Sequence, residues 1–95
     1  MILARVEFMR SDRGGRYTPP QSGFRPQIVA GDVHTSCVVE SLSGEVTFDF
    51  DKEYSVALKL MFPERYEACF SIGDAVELYE GSKVIGRGVI ADIMK

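Results

Sequence analysis

Apolar and polar residues alternate with a period of two along most of this chain. Over residues 2–8, Ile2, Ala4, Val6 and Phe8 share one face while Arg5 and Glu7 occupy the other. The same pattern sets Tyr54, Val56, Leu58, Leu60 and Phe62 against Ser55, Ala57, Lys59 and Met61, and Pro63 closes that run. Shorter stretches predict strands over 27–30 and 35–41, around a turn at Gly31-Asp32, and over 45–50, 75–79 and 84–94. The last two are joined by the hairpin loop Glu80-Gly81-Ser82-Lys83, and Ile85, Val89 and Ile93 are expected to enter the core. Residues 64–70 fit a short strand and a single helical turn equally well. Residues 11–26 break the pattern. Pro19, Pro20 and Pro26 lack an amide donor, and three glycines loosen the backbone, so a long ordered loop is expected, of a kind that often carries function.

Short strands separated by turn signals, with no helical stretch of ten residues, predict an all-β barrel or sandwich. At 95 residues the chain has room for a single domain spanning 1–95, with most of its apolar residues in one core. A closed barrel suits that size, because closure removes the unpaired strand edges that invite aggregation. A complete α/β barrel or a full dinucleotide-binding sheet would not fit.

Charge adds an asymmetry. The net charge is −3, which argues against strong non-specific nucleic-acid binding. Residues 1–27 nevertheless carry five arginines against Glu7 and Asp12, a local +3, whereas residues 28–95 carry −6. Cys37 and Cys69 form no C-x-x-C pattern, and the N-terminal apolar run is interrupted at Arg5. A cytoplasmic protein is therefore expected, with two free thiols half-buried in the sheet and no membrane contact.

Few residues suggest catalysis. His34 is the single histidine, and Cys37, three positions along one strand, points to the other face, so no thiol–imidazole pair is expected. Asp49, Asp51 and Glu53 alternate like the start of a calcium loop but lack its glycine and its distal glutamate, which leaves an acidic turn. Gly86-Arg87-Gly88-Val89-Ile90-Ala91 matches a dinucleotide fingerprint without a helix to follow it; its glycines instead suit close backbone approach. No enzyme activity, metal or cofactor is expected. The loop is the better candidate for contact. Arg13, Arg16 and Arg25 accompany Tyr17 and Phe24, a mixture that suits phosphate or base contacts. The alternative is that Arg16 and Arg25 tie the loop to acidic side chains of the barrel.

The same loop carries a resemblance. Gly14-Gly15-Arg16-Tyr17-Thr18-Pro19, followed by Gly23-Phe24-Arg25-Pro26-Gln27, resembles the start of the C-terminal β-barrel, the third domain, of elongation factor Tu. Residues 80–89, Glu80 to Val89, resemble the closing hairpin of that domain, so the likeness runs from about Ile2 to Met94. It implies a six-stranded antiparallel Greek-key barrel that in the family touches aminoacyl-tRNA, the GTPase domain and the nucleotide-exchange factor. Gln27 and Glu80 match tRNA-contacting positions of the family. A third contact falls near His34, in a shortened turn, and Phe24 stands where the family has tyrosine. No P-loop is present, and a chain without asparagine cannot supply the guanine-binding motif Asn-Lys-x-Asp, so no GTP binding is expected. The resemblance implies a translation-linked module that binds a protein partner, a translation factor or itself, with RNA as the alternative ligand.

Overall fold

In the computed structural model, which describes residues 1–10, 12 and 14–94, six antiparallel strands close into a barrel with one short helix. The strands are β1 (Ile2–Phe8), β2 (Gln27–Ala30), β3 (Val33–Ser41), β4 (Glu53–Leu60), β5 (Ala75–Glu80) and β6 (Lys83–Ile93). Their order round the barrel is β1-β4-β3-β2-β5-β6, with β6 returning to β1. β1 lies beside β4, and β5 beside β2, so two Greek-key crossings overlap in one ring. The β2–β3 and β5–β6 hairpins both turn on a glycine with positive φ, Gly31 at 58° and Gly81 at 62°, which a side chain would resist there.

Period-two alternation fills the interior. Ile2, Ala4, Val6 and Phe8 on β1 meet Val56, Leu58 and Leu60 on β4, Cys37 and Val39 on β3, Ile28 on β2, and Val76 and Leu78 on β5. Phe62, expected to continue the β4 face, lies past the strand end and is exposed. The 64–70 segment resolves as a helical turn: α1 (Pro63–Tyr66) begins at the proline, whose missing amide costs nothing at a helix start, and a 3-10 turn follows over Glu67–Cys69.

Further expectations need correction. Residues 45–50 form no strand. Thr47 makes an isolated bridge to Gln21, and the Phe48 amide donates to the Pro20 carbonyl at 2.9 Å, so the segment lies against the long loop. Val46 is exposed, and Phe48 is driven into the barrel end, where its ring stacks on Phe8 at 5.1 Å and meets the edge of Tyr54 at 5.1 Å. On β6, Val89 points outward and Ile90 takes the core position. One irregularity causes this shift: the register slips between Leu78 and Tyr79 of β5, where Ile85 is the extra residue of β6 and reverses the phase. A second slip between Leu3 and Ala4 of β1, with Ala91 extra, reverses it back before Ile93. Gly86 and Gly88 then lie opposite Phe8 and Val6. As the glycine pattern suggested, the backbones approach closely there.

The thiols also part company. Cys37 is buried on β3 and Cys69 is exposed on the 3-10 turn, outside the sheet. Burial pushes the Cys37 thiol up from 9.0 to about 12. A raised native value means that the folded state holds its proton where the unfolded chain has lost it. The associated stability is complete below pH 9 and declines as pH rises from 9 towards 12. Titration with a thiol reagent at pH 8 is expected to modify one cysteine per native chain rapidly and the second on unfolding. Two fast-reacting thiols in the native protein would contradict the burial of Cys37.

Candidate functional site

The long loop is held by its backbone. The Arg16 amide donates to the Met9 carbonyl at 2.9 Å, the Gly15 amide to the Arg10 carbonyl at 2.9 Å, and the Gly23 amide to the Val39 carbonyl at 2.7 Å. Phe24 and Val39 exchange a bridge, so the loop rejoins the barrel beside β3 just before β2 begins. This path explains why no helix or strand occupies 17–26: the chain must travel along one barrel end to reach the far side of the ring.

Arg16 is thereby set against the end of β5. Its Nε lies 3.2 Å from Glu80 Oε1, and its guanidinium stands 5.7 Å from the centre of the Phe24 ring. Phe24 in turn meets Phe8 edge-on at 5.7 Å, so this ring is partly a core residue and partly a platform for Arg16. Tyr17 is 84% exposed, and Lys83 Nζ stands 5.4 Å from its ring centre. Arg16, Tyr17, Thr18, Glu80 and Lys83 line an open groove of about 260 Å³.

A second part of the site lies along β2. Gln27 faces Tyr79 on one side and Ser36 on the other, on the outer surface of the barrel. His34 Nε2 donates to Gln27 Oε1 at 2.6 Å, joining the two positions across the β2–β3 hairpin. His34 is exposed while Cys37 is buried, so imidazole and thiol face opposite ways. Glu77, beside Tyr79, is paired with Arg87 at 3.4 Å.

Of the sequence candidates, Arg16, Tyr17, Phe24, Gln27 and Glu80 are brought to one side of the molecule. Arg25 is exposed next to them and makes no ion pair with a described residue. Arg13 lies outside the described residues. Sequence reasoning missed Lys83 and Tyr79, although both flank the Gly81 turn, and it did not pair His34 with Gln27. The acidic turn is occupied from within the chain: Asp49 pairs with Lys52 at 3.6 Å and Asp51 with Arg10 at 3.2 Å. No group of histidine, cysteine and carboxylate side chains among the described residues is arranged to hold a metal ion.

No family model matches the chain.

Proposed function

We propose that this chain is a non-catalytic binding module, related to the third domain of elongation factor Tu, that contacts a protein of the translation apparatus in the cytoplasm. The ring order supports the relationship, as does the gathering of Gln27, His34 and Glu80, the three positions that the resemblance aligns with family contacts, on one side. The observation that favours protein over RNA is the Arg16–Glu80 pair. Pairing within the chain withdraws the charge best placed in the loop, and the body around it is acidic. Exposed Met61 and Phe62 add apolar surface of the kind that protein partners cover. Lys83 stands over the Tyr17 ring and Arg25 is exposed later in the same loop, and these two cations keep RNA as the second reading.

The test titrates two probes separately: a purified elongation factor Tu family GTPase and a labelled tRNA. The GTPase is expected to bind saturably, with affinity falling at least about tenfold in Gln27→Ala and Arg25→Gln, a loss near 1.4 kcal/mol. Arg16→Gln separates the roles further. It should lower stability by about 1 kcal/mol or less, as expected of a partly exposed ion pair, while Arg25→Gln leaves the melt unchanged. Saturable tRNA binding abolished by Arg25→Gln, with a log–log salt slope of about −1.4 for two neutralised phosphates, would transfer the proposal to RNA. Absence of binding to both probes would overturn it.

A further inference from the structure

In the ring, β1 stands three strands from β2 in either direction, so its outer face is turned away from Gln27 and His34. Alternation along β1 turns Leu3, Arg5 and Glu7 outward. The register sets Glu7 directly opposite Glu53 of β4 on one side and Arg87 of β6 on the other, while Arg5 faces Ser55 and Val89. Two carboxylates facing each other across an antiparallel pair repel unless a cation lies between them. None does among the described residues, because Arg87 is drawn away to Glu77. Arg5, Glu7 and Glu53 are all exposed, and none makes an ion pair with a described residue. They border an open groove of about 640 Å³, whose apolar lining is Met9 and Val89.

We propose that this face is a contact between two copies of the chain. Each copy presents one unpaired guanidinium and, two positions along the same strand, two unpaired carboxylates. A two-fold axis crossing β1 at Val6, in the plane of contact, lays one β1 antiparallel over the other. Arg5 of each copy then meets Glu7 of the other and lies beside its Glu53, and Val89 gains cover. A basic partner would satisfy Glu7 and Glu53 and leave Arg5 bare, and an acidic one would do the reverse. The chain's own face carries both signs in the inverse order, which is the requirement of an isologous interface. A standard contact takes roughly 800 Å² from each partner, about a seventh of the 5466 Å² surface here. The dimer leaves the Arg16–Glu80 side free and does not rest on the proposed function.

Sedimentation velocity from micromolar to millimolar concentration tests this. The unaltered chain should pass from monomer to dimer. Arg5→Glu and Glu7→Arg should each raise Kd at least about tenfold, and the double exchange should restore it to within about threefold. Arg5→Lys, which keeps the charge, should crosslink between copies through a carbodiimide, with Glu7 or Glu53 as the acyl partner. This variant covers the case in which a charge reversal fails to fold. A chain that stays monomeric throughout would overturn the proposal. So would a dimer indifferent to Arg5→Glu or not restored by the double exchange.

Discussion

Replacing Gly88 with alanine is expected to remove about 4 kcal/mol of stability, enough to unfold much of a domain whose total is of the order of 5–15 kcal/mol. A Cβ at this position would lie 2.3 Å from the Arg5 carbonyl oxygen, 2.8 Å from Val6 Cγ2 and 3.1 Å from Val6 Cα. Two of these atoms belong to the backbone, so no rotamer change makes room. β1 and β6 must separate, and the seam between them is what closes the barrel. Gly86 provides the internal comparison. Its Cβ would meet Phe8 Cδ1 at 3.1 Å and the Glu7 carbonyl at 3.2 Å, a tighter fit than usual but one that a small ring movement eases. Gly86→Ala should therefore cost about 1–2 kcal/mol, within the range of ordinary overpacking. Urea denaturation of the two variants side by side measures the difference. Equal midpoints would mean that the β1–β6 approach at Gly88 is looser than described.

Phe48→Ala should cost about 3–5 kcal/mol, the usual range for deleting a buried aromatic ring. Phe48 is fully buried although it belongs to no strand, and it closes one end of the barrel between Phe8 and Tyr54. The Asp49 amide donates to the Tyr54 hydroxyl at 2.9 Å, and the Phe48 amide to the Pro20 carbonyl at 2.9 Å, so the ring also anchors the long loop. Hydrogen exchange should report that link. Amides of Gly23 and Phe24, which lie in the loop rather than near residue 48 in sequence, are expected to lose protection in the variant. A stability change under about 1 kcal/mol, with those amides still protected, would show that the barrel end closes without Phe48.

Much of this architecture was legible because a strand buried on one face writes its period into the sequence. Ile2, Ala4, Val6 and Phe8 gave β1 its register without help, and Gly31 and Gly81 marked the two tight hairpins. The misreading of 45–50 has a physical origin. Val46, Phe48 and Phe50 alternate as a strand would, but a plug for a barrel end needs one deep ring and imposes no period on its neighbours. On β6 the alternation was real, yet a bulge at Ile85 reversed its phase and a second at Ala91 restored it, and a bulge is set by the partner strand and leaves no local signal in the sequence. The candidate site was half legible. Arginine and aromatic residues in the loop indicated where to look. That Arg16 would be held by Glu80, from late in the chain, depended on the ring order, whereas the meeting of Gln27 with His34 depended on the register of one hairpin. Composition could not distinguish Arg16, already paired, from Arg25, which has no such partner among the described residues.

The ring order has a further consequence for how the protein is made. Ile2 pairs with Leu58 on one side and with Ile93 on the other, so the first strand synthesised waits for both of its neighbours. At roughly 5–20 residues per second, a ribosome takes several seconds to extend the chain from β1 to β6. Until β4 emerges β1 has no partner strand, and from then until β6 follows its second pairing edge remains open to other nascent chains. Closure of the barrel is therefore a late event, because it needs β6. A chaperone that holds extended apolar segments would find its best opportunity in Ile2–Phe8.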